Sequence, residues 1–470
     1  MKKQLLTLST IALLATNSFA ADTTADRLSK LEKDIKKLEK KLKKSNKKLS
    51  AVKAHDAYDN IKFSIDFRNS VDFISVKDNK GNYFNEGAGH KETNDILSTR
   101  LYLDMASSPT DSIVFRGKFG INNVWGGHPG NNDSSFKVWQ AASKAHNNEF
   151  KLKEAYLLYT ADNDMTYSAG RRQASGGFLA NHRTNTKEPT SPLAHVTNME
   201  IDAMMIKFGE SFTKAEGSYL KVLYGRAHDG VHGVNKMYAH DGTLKTFTGN
   251  ATTERDKAVN IAGILGNIYD NGTYKLMGQR MMIINTKGRK IVDGTNANDV
   301  KSAPAGNACV TALSLEVNGL DMIDEDSDFL AETIVFASVA HTKYMPKDGY
   351  SLLGSTSDTT GKSVWIGAIF PDMITDSGKF GIEFNKGSKN WTPFTWAEDN
   401  MLGSKIAVRG NATEVYWNGI VGGHKNLTAQ IKYQNIQHKY TPNQNCQGWV
   451  EPKAVDIVAN NVTFSIRYIY

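Results

Sequence analysis

The chain has 470 residues, of which 40% are hydrophobic, 10% aromatic and 23% charged. Its formal net charge of +8 comes from the first 56 residues, because Lys2 and Lys3 precede residue 21 and residues 21–56 carry twelve Lys and Arg against six Asp and Glu. Residues 57–470 are therefore neutral overall. A basic charge confined to one end excludes the broad basic surface of a nucleic-acid-binding protein, so no nucleic-acid partner is expected.

A secretory signal peptide is predicted for residues 1–20. Lys2 and Lys3 precede an apolar stretch from Leu5 to Ala15, and a small residue at Ala20 suits cleavage after that position. The stretch is too short to span a bilayer, and no later segment has the roughly 18 to 20 apolar residues of a transmembrane helix. The protein is expected to be exported.

Residues 21–56 are predicted to form a periplasmic coiled coil. Apolar residues recur at alternating spacings of three and four, which is the seam along which helices associate. The seam consists of Leu28, Leu31, Ile35, Leu38, Leu42, Leu49 and Val52. With Lys at ten positions between Lys30 and Lys48 a lone helix would repel itself, so association in threes or fours is favoured. Its basic surface suits contact with anionic peptidoglycan, and a solvated helix or linker is the alternative.

Residues 57–470 are predicted to be all-β, forming a transmembrane barrel of sixteen antiparallel strands. Amphipathic runs lie at 61–77, 96–106, 112–124, 150–160, 165–171, 199–209, 217–228, 257–268, 273–284, 309–319, 329–341, 362–370, 378–386, 404–420, 426–440 and 461–470. Long and short connections alternate between them, as in outer-membrane barrels, whereas a soluble sandwich would have short hairpins on both sides. All ten Pro fall in the predicted connections.

The last predicted strand presents an apolar row to lipid and ends on an aromatic residue. Phe464, Ile466, Tyr468 and Tyr470 would face outward, whereas Arg467 would face the lumen. The segment resembles the C-terminal strand of Gram-negative outer-membrane proteins, which the barrel-assembly machinery reads as an assembly signal, although Phe is the commonest last residue there. An amphipathic edge strand of a soluble domain is the alternative.

An even number of strands places both ends of the barrel on the periplasmic side, so the long loops would be extracellular. Cys309 then opens the tenth predicted strand at the loop end, and Cys446 lies in the last long loop. A disulfide between them suits the oxidising cell envelope, with two free thiols as the alternative.

Taken together, these features resemble the sixteen-stranded trimeric porins, in particular the sugar-porin subgroup with a periplasmic coiled-coil extension. The stretch from Phe380 to Trp391, followed by Pro393-Phe394-Thr395, also resembles a porin-like family of epsilon-class proteobacteria without an assigned function. The resemblance implies a homotrimer in the outer membrane, in contact with its lipid and lipopolysaccharide.

The resemblance further implies that the third long loop, about residues 172–198, folds into the barrel and sets its narrowest point. The fifth strand ends in Gly170-Arg171-Arg172-Gln173, which is similar to the Gly-Arg-Gln that often precedes such a loop. The predicted pore-lining and constriction residues are Arg100, Asp104, Arg116, Lys118, Arg171, Arg172, Gln173, Arg183, Lys187, Glu188 and Arg467. A basic constriction would favour anions. Alternatively, these cations pair with Asp104, Glu154 or Glu200 and only brace the wall.

No enzyme motif is found: the sequence has no Gly-x-Ser-x-Gly, His-Glu-x-x-His, phosphate-binding Gly-rich loop or Cys-x-x-Cys. The acidic run from Asp321 to Asp328 lacks the Gly and the terminal Glu of an EF-hand, so neither a metal nor a cofactor is expected. The leading function is passive diffusion of small hydrophilic solutes and ions through a water-filled lumen. A structural tether or adhesin is the alternative. A membrane lipid hydrolase would need a Ser-His pair at the lipid face, for which no candidate is seen.

Overall fold

The computed structural model describes residues 61–80, 89–125, 147–172, 176–186, 192–228, 236–238, 244–246, 258–291, 300–324, 326–375, 377–395, 400–442 and 451–470. The predicted signal peptide and coiled coil, like Gln173, Lys187, Glu188 and Cys446, lie outside these residues and stay predictions. The described residues within Ile61–Ser108 and Ser112–Tyr470 form one compact unit.

Sixteen antiparallel strands form a closed sheet. They are β1 (Lys62–Asp78), β2 (Gly89–Thr110), β3 (Ile113–Val124), β4 (Asn147–Thr160), β5 (Met165–Arg172), β6 (Ile201–Phe208), β7 (Tyr219–His228), β8 (Val259–Asp270), β9 (Tyr274–Lys290), β10 (Val300–Asn318), β11 (Ile334–Pro346), β12 (Thr359–Pro371), β13 (Gly378–Gly387), β14 (Gly410–Val421), β15 (His424–Tyr440) and β16 (Ala454–Ile469). Each strand pairs with the next, and β1 also pairs with β16, from Asp66 opposite Ile469 to Asp78 opposite Ile457. The prediction of a 16-stranded antiparallel barrel is confirmed.

Short elements lie in the described connections. The helices are α1 (Ala180–Thr184), α2 (Glu210–Thr213) and α3 (Asp328–Ala331), and Lys405–Ala407 form a 3-10 turn. The short strands are Thr197–Asn198, Lys236–Tyr238, Leu244–Thr246, Tyr350–Ser351 and Phe394–Thr395. Within the described part of the chain, none of the helices has the length and apolar character needed to cross a membrane.

Successive side chains alternate between an exposed outer face and a buried inner face, as the sequence predicts for several strands. In β2, Leu97 is 38% exposed whereas Arg100 is 8% exposed. In β15, Ile431 is 47% exposed and its neighbour Lys432 is 4% exposed. Apolar residues outside and polar residues inside are the reverse of a water-soluble protein. A closed sheet pairs its backbone N–H and C=O groups internally, and the apolar exterior can contact the lipid chains of a membrane.

Several strand boundaries differ from the prediction. β14 begins at Gly410 rather than at residue 404, because the 3-10 turn before it is folded into the lumen, where Ile406 is buried. Four prolines also lie within strands, contrary to the prediction that all ten lie in connections. Pro109, Pro346 and Pro371 are at or next to strand ends, and Pro304 lies where the register of β10 shifts. At such positions a missing N–H does not remove a regular ladder bond.

The interior of the barrel is filled unevenly. An apolar cluster packs connecting segments against the inner faces of β8 to β12, and it includes Phe178, Leu193, Ile261, Met277, Phe336, Trp365, Trp391 and Ile406. The inner faces of β15, β16, β1 and β2, which lie on the opposite side of the closed sheet, carry mostly polar and charged side chains. A second, smaller apolar cluster, which includes Ile74, Ile96 and Ile436, lies at one end of that polar side.

Candidate channel and constriction

The connection between β5 and β6, here called the third loop, runs inside the barrel. Of its described residues 176–186 and 192–200, His195 is the best anchored. Its Nδ1 lies 2.7 Å from Ser338 Oγ on β11, and its Nε2 lies 2.9 Å from Ser363 Oγ on β12. The rings of Trp365 and Trp391 pack against it edge-on. Burial lowers the pKa of His195 to about 3, so a neutral imidazole joins the loop to both strands.

The first part of the third loop, helix α1, reaches the polar wall on the other side. Arg467 Nη1 on β16 donates to Thr184 O at 2.6 Å, and Gln430 Nε2 on β15 donates to Arg183 O at 2.7 Å. His182 Nε2 lies 2.6 Å from Glu316 Oε2 on β10. The third loop therefore crosses the lumen and is fastened to both of its sides.

The connection between β13 and β14, here called the seventh loop, also enters the lumen. Its Lys405 is buried, with Nζ 2.7 Å from Glu383 Oε2 and a further ion pair to Glu414. Phe394 N donates to Val196 O of the third loop at 3.0 Å. The two loops therefore form one inserted body, which narrows the passage.

The wall that faces α1 carries a row of arginines. Arg100 on β2, Arg68 on β1 and Arg467 on β16 lie opposite one another in register. Arg100 donates to both oxygens of Asp66, at 2.9 and 2.7 Å, and Arg467 donates to the same two oxygens at 2.7 and 2.8 Å. Two guanidinium groups share one carboxylate, so the row retains positive charge.

Together with Arg183 of α1 and Lys432 of β15, this row is called the basic cluster; its members are Arg68, Arg100, Arg183, Lys432 and Arg467. Two polar cavities border it, and both are lined by Arg68, Arg100 and Lys432. The larger has a volume of about 40 Å³, which is room for a few water molecules. The polar space at these two cavities is therefore small.

The family of the chain is identified by sequence. A family model described as a protein of unknown function (DUF3373) matches residues 90–466. The chain belongs to this family. No curated protein matches it.

Solved structures similar to this DUF3373 protein include a porin and an outer membrane channel. The anion-selective porin from Comamonas acidovorans has 9% identity and a TM-score of 0.47, over 87% of this chain and 100% of that one. OprB of Pseudomonas putida, in a high-pH structure, has 11% identity and a TM-score of 0.47, over 90% and 96%. The outer membrane channel DcaP of Acinetobacter baumannii has 13% identity and a TM-score of 0.44, over 87% and 97%.

The inner wall of β2 to β5 carries four other predicted site residues, namely Asp104, Arg116, Lys118 and Arg172. Lys118 Nζ lies 3.2 Å from Asp104 Oδ1 and 3.4 Å from Glu154 Oε1. Arg172 lies over the ring of Tyr156, 4.1 Å from its centroid, and Arg116 is solvent-exposed on the inner face of β3. The ion pairs of Lys118 are those of the bracing alternative, so bracing accounts for part of the inner wall.

Arg171 lies elsewhere than the predicted constriction. It shares the outward row of β5 with the exposed Tyr167, and its Nε lies 2.8 Å from Asp202 Oδ1, on the outer face of β6. The inward position passes to Arg172. Conversely, Arg68 and Lys432 were absent from the predicted set. The alternation of β1, where Phe67 is exposed and Asp66 buried, would have placed Arg68 in the lumen.

The remaining predicted chemistry is tested only in part. Cys309 is buried in β10, and the predicted disulfide stays a prediction because Cys446 is outside the described residues. Among the residues that the structure describes, no group of three or more His, Cys, Asp and Glu side chains is arranged to hold a metal ion.

Proposed function

We propose that this protein is an outer-membrane channel through which small hydrophilic solutes and ions diffuse passively, with a preference for anions. The observation that carries the proposal is the basic cluster, which faces a loop inserted into a closed barrel with an apolar exterior. A barrel of this kind suits the outer membrane, to which an exported protein has access.

The preference for anions follows from how the inner carboxylates are used. Asp66 is shared by Arg100 and Arg467. Asp104 and Glu154 share Lys118, and Arg116 is a further cation near Glu154. The five cations of the basic cluster outnumber the three carboxylates beside them, Asp66, Asp72 and Glu414, so the cluster contributes a net positive potential to the polar cavities. In a narrow, partly dehydrated passage such a potential admits anions and repels cations.

The decisive measurement is single-channel current of the purified protein in a planar bilayer with asymmetric KCl. A reversal potential shifted toward that of chloride is the expected result. Arg68→Gln removes one charge of the basic cluster and is expected to lower the chloride-to-potassium permeability ratio by roughly two- to fivefold, because a charge within about 8 Å of the ion path changes its energy by about 0.5 to 1 kcal/mol.

The matched control is Lys386→Gln, which removes a cation from the exposed outer row of β13. It is expected to leave the permeability ratio unchanged. A ratio that responds equally to both substitutions would contradict a selectivity set at the basic cluster.

A structural tether is the second candidate, and the small volume of the polar cavities favours it. Cavities with room for only a few waters would pass little solute unless the inserted loops move. Deleting residues 21–56 separates the two functions: a channel should conduct without them, whereas a tether should lose its attachment to the cell wall. A folded barrel that stays silent in the bilayer would favour the tether.

We propose partners for the outer face of the barrel and for residues 21–56. Phe464, Ile466, Tyr468 and Tyr470 are all exposed on the outer face, which supports their role as the signal read by the barrel-assembly machinery and their contact with lipid and lipopolysaccharide. Homotrimerisation and contact of residues 21–56 with peptidoglycan are supported by the heptad seam and its lysines.

A further inference from the structure

One arginine lies within the apolar belt of the barrel exterior. Arg280 on β9 is exposed and belongs to an outward row in which Leu276 precedes it and Met282 and Ile284 follow it. In register, it lies opposite Ile264 on β8 and Thr311 on β10. Apolar side chains therefore precede and follow it along its strand.

Arg280 lies too far from the ends of the belt to place its charge in water. It is six positions above Tyr274, where β9 begins, and a tilted strand rises by about 2.5 Å per residue along the barrel axis, which puts Arg280 about 15 Å above that edge. An apolar belt is about 25 Å tall. Arg280 therefore lies near its middle, where an arginine facing lipid is strongly unfavourable.

Within the described part of the chain, this charge is not compensated. No described residue forms an ion pair or hydrogen bond with the Arg280 guanidinium. Two other charged side chains on the outer face do have partners: Arg171 is paired with Asp202, and Lys343 is paired with Asp358. Since none of the described residues pairs with Arg280, a neighbouring molecule is the source of a partner that remains.

The surface around Arg280 is suited to close approach by another protein. Its outward neighbours include Gly266, Gly278 and Thr311, and small residues of this kind let two membrane-embedded surfaces come together. Val339 on β11, opposite Leu313, extends this surface with a side chain that is 53% exposed. By contrast, the outward row of β1 has no charged residue from Phe63 to Phe73, and Lys77 lies only at its end, as expected of a lipid-facing wall.

We infer that copies of this chain associate through the outer face of β8 to β11, with Arg280 at the centre of the contact. A second copy is the occupant because the heptad seam of residues 28–52 predicts, from an independent part of the chain, that copies come together in threes or fours. The inference rests on the proposed membrane location but not on conduction.

Spin labels on the full-length protein in phospholipid vesicles test the inference. In a background of Cys309→Ala and Cys446→Ala, one label is placed at Val339→Cys and a matched one at Ile431→Cys, which is 47% exposed on the outer face of β15. The label at position 431 should collide with dissolved oxygen as a lipid-exposed site does. The label at position 339 should show at least a threefold lower collision rate. Equal rates at the two positions would overturn the inference.

Arg280→Leu provides a second test, whose two outcomes have opposite signs. If a neighbouring copy satisfies Arg280, leucine removes that contact and the temperature at which the assembled protein dissociates on a gel should fall. If Arg280 faces lipid, leucine suits its surroundings better and the protein should become more heat-resistant, which would contradict the inference. Lys386→Leu, which removes an outward charge from β13, should leave the dissociation temperature unchanged. Because neither readout uses current, failure here is separable from failure of the channel proposal.

Discussion

Lys405→Met is expected to lower the free energy of unfolding of the barrel by about 3–5 kcal/mol. Lys405 lies between the carboxylates of Glu383 and Glu414, and all three side chains are almost completely buried. Removing the cation leaves two carboxylates facing each other in a site of low dielectric constant. The shift is measured as the midpoint of denaturant unfolding, followed by tryptophan fluorescence, which Trp365 reports well because its Nε1 donates to Glu383 Oε2 at 2.9 Å.

Two control variants separate charge from packing. Adding Glu383→Gln to Lys405→Met should recover at least half of the lost stability, since Glu414 still has Arg183 nearby, with Nε 3.7 Å from its carboxylate. Lys343→Met breaks an exposed ion pair with Asp358 and should cost less than about 1 kcal/mol. If Lys343→Met and Lys405→Met cost the same, the buried cluster does not hold the seventh loop in the lumen.

The second large effect concerns acid. His195 has a pKa of about 3 in the folded protein because it is buried, whereas an unfolded histidine has a pKa of about 6.5. Between these values the unfolded chain binds the extra proton and the folded chain does not. The stability associated with neutral His195 is therefore fully present above about pH 6.5 and is lost as the pH falls toward 3. Over this range the free energy of unfolding should fall by up to about 1.4 kcal/mol per pH unit.

The measurement compares unfolding midpoints of the wild type and His195→Gln between pH 7 and pH 4. Glutamine keeps a donor and an acceptor for Ser338 and Ser363 but does not titrate, so the difference between the two proteins should shrink on acidification. Other titrating groups contribute equally to both curves and cancel in the difference. A difference that is constant over this range would show that protonation of His195 does not release the third loop. Acid should also raise single-channel conductance in the wild type alone.

Many of the sixteen strands were predictable because they obey a local rule. Alternation in β2, β15 and β16 follows directly from which residues prefer hydrocarbon and which prefer water. The same rule fails where a connection is buried. Ile406 and Val408 look like the start of β14, since a loop inside a lumen needs apolar residues as much as a strand does.

The candidate site depended on contacts between distant parts of the chain, which alternation does not specify. Asp66 was not recognised as the carboxylate shared by two arginines, because Arg100 and Arg467 meet only when β16 closes on β1. His195 gave no signal, since a lone histidine between Ala194 and Val196 is indistinguishable from an ordinary core residue. Arg171 and Arg172 could not be assigned to faces until the pairing of β5 with β6 fixed which of them points outward.

The contacts of Arg467 also constrain the order in which the molecule can be built. Its guanidinium bonds to Asp66 on the first strand and to Thr184 O on the third loop at the same time. Thr184 can reach that position only when the loop is already inside the cylinder. Arg467 therefore makes its full set of bonds only after two separate events, the pairing of the first strand with the last and the entry of the loop. Assembly is expected to be cooperative, because each event positions a bonding partner for the same guanidinium and so favours the other.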